Sequence, residues 1–394
     1  MIKSIKLQDF LSFGNTEKEI ELYPLNVIIG TNGSGKSNFL EAFDLLKNAP
    51  FDISKTIREG GGISEWLYKG NSDEKHATIS VVVEEDLLSA RSLFRYSLAF
   101  NDTSSKFEIY DEKIEVIDSD NGTIIPKILY DYSGGRPFIN INSHDQIKME
   151  KLELNDINTT QSIFAQKRDS IYYPEITHLA YLFAKTMIYR DWTFGSYTPP
   201  RLPQKVDIKN DYLEADCSNL CLVLNHMRND LHTKKLLLNE LQSFYADVED
   251  YEVTFAGGQA QVFFQERGLR TSIPATRLSD GTLRYLCLLS ILCHPNPPPL
   301  ICIEEPELGL HPDIIPNIAR LLIEASKHCQ LIVTTHSEIL IDSFSDTPYV
   351  VLIAEKTDMG TQLIRLDNNE LKPWLEKYRL GALWSRGDIG GTRW

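Results

Sequence analysis

Residues Gly30 to Leu40 read GTNGSGKSNFL. Within them Gly30, Thr31, Asn32, Gly33, Ser34, Gly35, Lys36 and Ser37 complete the pattern G-x-x-x-x-G-K-S. The flanks are as informative as the pattern. Before it, LNVIIG (Leu25 to Gly30) is a short continuous apolar run, as in a buried strand of a parallel sheet. After it, KSNFLEAFDLLKN spaces Phe39, Leu40, Phe43 and Leu46 along one helical face. Strand, glycine loop and helix together let backbone N–H groups close around phosphate oxygens at a helix N-terminus. The stretch therefore predicts a phosphate site running from Gly30 to Ser37, with Asn38 beside it. Lys36 is placed to reach the β- and γ-phosphates and Ser37 to ligate magnesium.

Working outward, LICIEE (Leu300 to Glu305) is an apolar strand ending in two acids. A carboxylate at a buried strand end can hold the water shell of a magnesium ion, the role expected of Glu304. The next acid, Glu305, can polarise a water for in-line attack. RLSDGTLRYLCLLSIL places Ser279, Asp280, Gly281 and Thr282 before an apolar helix. That reads either as an N-cap or as a helix N-terminus that Gly281 leaves open to an anion. QLIVTTHS ends a second apolar strand on His336, which suits a contact to the γ-phosphate. TTQSIFAQKRD offers Gln161, or alternatively Gln166, as an oxygen ligand for magnesium; an ordinary polar loop is the competing reading.

The rest of the chain sets these segments in a frame. From about 76 to 141, short strands separated by Asn, Asp, Gly and Ser predict an antiparallel sheet, with a hairpin turn at Asn121-Gly122. Residues 174–190 and 219–246 predict helices. After the Pro-rich break HPNPPPL, strands and helices alternate, which predicts a mostly parallel sheet under helical cover. The 394 residues carry a net charge of −15, which argues against a DNA coat over the whole surface and leaves room for a local basic groove. There is no run of the ~18 apolar residues a spanning helix needs. The N-terminus reads as a strand and not as an export signal. Six cysteines without a CxxC pair predict reduced, buried thiols and a cytoplasmic location.

These stretches, in this order, resemble the ABC-type ATPases, in particular the RecF, SMC and OLD-like group often described as AAA-family proteins. The resemblance implies an α/β P-loop NTPase head with a mixed, mostly parallel core sheet, an antiparallel β subdomain and a helical insertion. It makes Gly30 to Ser37 the Walker A loop, Leu278 to Thr282 the signature, Glu304 and Glu305 Walker B and its catalytic acid, Glu307 to His311 the D-loop, and His336 the switch histidine. Asp280 stands where glycine is usual, Thr282 where glutamine is usual, and Glu304 where aspartate is commoner. An extra carboxylate at Asp280 would weaken contact with an opposing γ-phosphate. The implied cofactors are ATP and Mg2+. With one Walker A and one signature per chain, a head-to-tail homodimer joined through ATP is implied.

The domain layout expected is a split head over 1–355, with core halves about 1–50 and 270–355, the β subdomain about 76–141, and a helical or lid insertion about 142–250. A tail at 356–394 follows, with Trp374, Trp384 and Trp394 interleaved with Arg379, Arg386 and Arg393. Such a tail either stacks on nucleic acid or a partner, or packs back on its own domain. The stretch after His336 is too short for a fused Toprim nuclease. The resemblance to small ATPases in which a tail of this kind recurs beside a separately encoded effector implies, as the expected output, regulation of a separate effector, a nuclease or Toprim-like protein, in prokaryotic antiviral defence. The alternative is a stand-alone RecF-like repair ATPase that clamps DNA. A third reading is a nucleotide-dependent scaffold with negligible turnover.

Overall fold

The strand Leu25–Ile29 is buried at all five positions, which is why its sequence is apolar without alternation. A computed structural model describes residues 1–71, 76–87, 90–120, 123–143, 146–151 and 157–391. The turn expected at Asn121-Gly122, and Arg393 and Trp394 of the tail, lie outside these residues. The chain divides into two units. The first is Met1–Thr186 with Val351–Leu366 and Gly390–Trp394; the second is Met187–Val350 with Asp367–Ile389.

In the first unit, Leu25–Ile29 pairs in parallel with Val351–Thr357, which turns back into the antiparallel partner Gly360–Arg365. The helix Lys36–Asn48 follows the glycine loop and buries Phe39, Leu40, Phe43 and Leu46. A separate eight-stranded antiparallel sheet runs in the order Ile20–Glu21, Ile2–Gln8, His76–Leu87, Ala90–Asp102, Phe107–Asp120, Thr123–Ser133, Arg136–Ser143, Gln146–Lys151. Its inward positions follow the two-residue period, as Ala77, Ile79, Val81 and Val83 show. The N-terminal strand belongs to this sheet, with Ile5 opposite Val81.

In the second unit, Met187–Tyr189, Leu300–Glu304 and Gln330–Thr334 form parallel neighbours. The helices Leu220–Arg228, Leu231–Phe244, Asp280–Leu292 and Ile315–Ala325 belong to the same unit. Two helix expectations need correction. The helix expected over 174–190 ends at Ala184, and Met187–Tyr189 is a strand. Ile188 and Tyr189 favour extended backbone, and their burial beside Leu300–Glu304 decides the matter. The helix expected over 219–246 is two helices. Asp230 breaks it by accepting from the Thr233 N–H at 2.8 Å, capping the second piece. Beyond it, Val248–Ala256 and Gln259–Glu266 form a hairpin, nearly all of it past the helical insertion expected to end at about 250.

Residues 356–394, expected as one tail, are divided between the units. Leu380–Ser385 packs its buried Leu380 and Leu383 against the helix Glu338–Asp342, and the Gly381 N–H donates to Asp342 Oδ1 at 2.7 Å. Trp374 is half exposed, and the Arg386 guanidinium lies 4.6 Å over the Tyr378 ring. This part of the tail therefore packs on its own unit.

One buried charge ties the antiparallel sheet to the segment that carries Gln161. Glu112, on Phe107–Asp120, is 1% exposed. The Tyr96 hydroxyl donates to its Oε1 at 2.8 Å and the Ser162 hydroxyl to the same oxygen at 2.5 Å, and the Ile163 N–H donates to Oε2 at 2.9 Å. Burial pushes its carboxyl up to about 7, against the partial opposition of the donors from Ser162, Ile163 and Tyr96. An acid raised in the folded state contributes stability that is present below its ordinary value near 4.5 and is lost as pH rises through about 7. The Glu112→Gln variant should therefore gain on the parent by roughly 3 kcal/mol between pH 4.5 and pH 8. Urea unfolding of both proteins at the two pH values measures this, and a difference that does not change with pH would contradict it.

Candidate nucleotide site

The glycine loop lies in the first unit and is built by close approach. Gly30 has φ +151°, and a Cβ there would meet the Ala354 carbonyl oxygen at 2.4 Å. Gly35 has φ +99°, and a Cβ there would meet Thr361 Oγ1 at 2.3 Å and Ser12 Oγ at 2.6 Å. No other residue fits either position. Thr361 Oγ1 donates to the Ser34 carbonyl at 2.9 Å and holds the loop from behind. Lys36 is buried with Nζ donating to the carbonyls of Gly30 at 2.9 Å and Thr31 at 3.0 Å, so its ammonium is fixed across the loop. The helix it opens has no side-chain cap and no acid in its first turn. An uncapped helix N-terminus with its positive end unopposed suits an anion, and the residues fit a phosphate group. Asn32, Gly33 and Ser37 are exposed on the outer side of the loop. Asn38 lines a cavity of about 410 Å³ with Leu11, Ser12, Tyr68 and Lys356.

The acids lie in the second unit. Leu300–Glu304 is buried up to its last residue, and Glu304 sits opposite Thr334. Glu305 follows with φ +45°, in the left-handed region that non-glycine residues rarely occupy. Its N–H donates to the Thr334 carbonyl at 3.0 Å, which holds the kink. Backbone strain of this kind costs on the order of 1–3 kcal/mol and concentrates at functional residues. It turns the Glu305 side chain to within 3.5 Å of His336 Nε2, and both groups are about one-third exposed. A carboxylate and an imidazole so placed can share the handling of a proton on a bound water.

Glu307 fixes the same corner. Its Oε1 accepts from the Thr335 hydroxyl and from the His336 N–H at 3.2 Å. Burial pushes its carboxyl up, against those hydrogen bonds. His311, at the end of the segment expected as the D-loop, accepts from the Asp313 N–H at 3.3 Å and caps a short turn.

At the signature, the structure has the N-cap. Ser279 Oγ accepts from the Thr282 N–H at 3.1 Å and bonds the Thr282 hydroxyl at 2.8 Å. At Gly281 a Cβ would stand 3.4 Å from the Gly309 carbonyl oxygen, an ordinary contact. Asp280 is not an isolated charge, because the Arg201 guanidinium bonds its Oδ1. One helical turn on, Arg284 is buried with its guanidinium 5.4 Å over Trp192 and 5.5 Å over Phe194. Neither arginine carries a sequence signal. Arg201 is 79 residues from Asp280, and Arg284 sits in an apolar helix.

Gln161 and Gln166 fall at a four-residue helix, Ile163–Gln166, capped by Ser162. The Gln166 amide staples its own loop, accepting from the Asn158 N–H at 2.7 Å and donating to the carbonyls of Asn158 and Gln161. Among the described residues, no cluster of three or more His, Cys, Asp or Glu could hold a metal, and no helix is long and apolar enough to cross a membrane. All six cysteines are buried thiols.

A glycine loop opening an uncapped helix and a buried strand ending in paired acids give the chain the fold of a P-loop NTPase head. The family model described as "AAA domain, putative AbiEii toxin, Type IV TA system" matches residues 25–342, and the chain belongs to that family. No curated protein matches the sequence. Among solved structures, the chain is similar to an SMC head bound to the C-terminal winged-helix domain of ScpA. Identity is 14% and the TM-score 0.56, over 94% of this chain and 99% of that one. It is similar too to an Smc head with an extended coiled coil bound to the C-terminal domain of ScpA, derived from Pyrococcus furiosus. There identity is again 14% and the TM-score 0.54, over 95% and 98% of the two chains. At this identity the likeness is one of fold, and it agrees with the head expected from the motifs.

Proposed function

We propose that this protein binds ATP with Gly30 to Asn38, hydrolyses it with Glu305 as general base and His336 as its partner, and forms a head-to-tail homodimer through the nucleotide. The observation that carries the reading is Glu305, held at positive φ against His336 at the end of a buried strand. Lys36 would neutralise phosphate charge, and the helix N-terminus would hold phosphate oxygens. The 410 Å³ cavity beside Asn38 is of the size that takes a nucleoside. Ser37 and Glu304 would hold magnesium, with Gln161 as a further ligand and Gln166 the alternative. A magnesium ion held there would supply positive charge to offset the negative charge that develops on transfer. Ser279, Asp280, Gly281 and Thr282 would face the nucleotide of the second copy. The chain would act in the cytoplasm.

For the output, the favoured reading is regulation of a separate effector, such as a Toprim-like nuclease, in antiviral defence. The toxin–antitoxin wording of the matching family supports it. So does the ScpA domain seated on the similar heads, as an example of this fold engaging a second protein. The alternative is a RecF-like ATPase that clamps DNA. ATP turnover of the purified protein with and without duplex DNA separates them. Turnover indifferent to DNA, with the protein encoded in the neighbouring reading frame co-purifying, is the expected result. Stimulation by DNA of about tenfold or more would move the assignment to repair.

A further inference from the structure

Asp280 puts a carboxylate in the stretch proposed as the signature, where glycine is usual in the ABC-type ATPases the chain resembles and where a second copy's γ-phosphate is expected. The structure also supplies a counter-charge for it. Arg201 is 7% exposed and makes four hydrogen bonds. Its Nε donates to the Gly195 carbonyl at 3.0 Å, and its Nη1 to the carbonyls of Thr276 at 3.2 Å and of Leu278. Its Nη2 donates to Asp280 Oδ1. Four bonds from one planar fork therefore fix the two residues of backbone that lead into Ser279 and hold the Asp280 carboxylate to one side. The Asp280 side chain is 58% exposed and that of Arg201 is 9% exposed, so the charge at the surface is the aspartate's and its partner lies behind it.

We propose that Arg201 is the positioning residue of the signature, and that it offsets the Asp280 charge so that an anionic phosphate on a second copy can approach Ser279 and Gly281. The inference rests on the ATP-joined dimer described above. It adds a residue that no signature pattern contains. Substitution at Arg201 leaves Asp280 unpaired against the incoming phosphate, and substitution at Asp280 removes the charge that the arginine offsets, while its three bonds to backbone carbonyls remain. The two positions are therefore coupled in a defined direction, which a merely structural arginine would not be.

The test is a double-mutant cycle in a Glu305→Gln background, reading the ATP concentration at which half the protein is dimeric by light scattering. Glu305→Gln alone must dimerise with ATP; if it stays monomeric, the dimer reading itself falls, whatever Arg201 does. Given that dimer, Arg201→Ala should raise the midpoint by about tenfold or more, because a charge is left without its partner. Asp280→Gly should leave the midpoint unchanged or lower. The Arg201→Ala/Asp280→Gly pair should bind at least about threefold more tightly than Arg201→Ala alone, the remaining deficit being that of the lost backbone bonds. A double variant as weak as Arg201→Ala overturns the inference. So does an Asp280→Gly variant weakened tenfold, which decides the matter even if Arg201→Ala fails to fold.

Discussion

Glu305→Gln is expected to bind ATP as the parent does and to hydrolyse it ~10²–10⁴-fold more slowly, the usual contribution of a positioned general base. The substitution is close to isosteric. Gln keeps the φ of +45° and an oxygen facing His336, so the strained corner and its hydrogen bond from Glu305 N–H to the Thr334 carbonyl remain. What disappears is the ability to take a proton from the attacking water. Thermal stability should stay within about 0.5 kcal/mol of the parent, since no buried group changes. Phosphate release in single-turnover conditions, with ATP affinity measured alongside, gives both numbers. Turnover within twofold of the parent would remove Glu305 from the chemistry.

Lys36→Ala is expected to fail one step earlier. The buried ammonium is fixed by two loop carbonyls, those of Gly30 and Thr31, and its charge is proposed to serve the bound phosphates. Charge-assisted bonds of this kind contribute about 1.5–3 kcal/mol each, so removing one bond to phosphate should lower ATP affinity roughly 10–100-fold. The loop itself should keep its shape, because Gly30 and Gly35 are set by Ala354, Thr361 and Ser12 and not by the lysine. Calorimetric titration with ATP and magnesium, beside a melting curve to show that the variant is folded, distinguishes weakened ligand binding from unfolding. Affinity equal to the parent's would contradict the assignment of the loop.

The two substitutions also show which parts of the molecule can be read from sequence. The glycine loop is legible because strand, glycines, lysine and helix lie within about twenty-five residues, although the atoms that require Gly30 and Gly35 belong to Ala354, Thr361 and Ser12, elsewhere in the chain. The acids are nearly as local, because a buried strand must end before a carboxylate can be wetted, and Leu300–Glu304 is buried up to Glu304. The signature is ambiguous in sequence because Ser-Asp-Gly-Thr serves equally as cap and as anion site, and Ser279 does cap. What sequence could not supply is long-range pairing. Arg201 meets Asp280 across 79 residues, and Ser162 meets Glu112 across 50. Met187–Tyr189 reads as part of a helix because three residues carry no period, and only the neighbouring strand makes them extended.

The nucleotide is proposed as the joint between two copies of this chain, each offering its glycine loop to one ATP and its signature to the other. The direct measurement is the solution mass of the Glu305→Gln variant by light scattering, with ATP and magnesium and without them. Twice the monomer mass with ATP, and the monomer mass without it, is the predicted result. A monomer in both conditions would contradict the central claim.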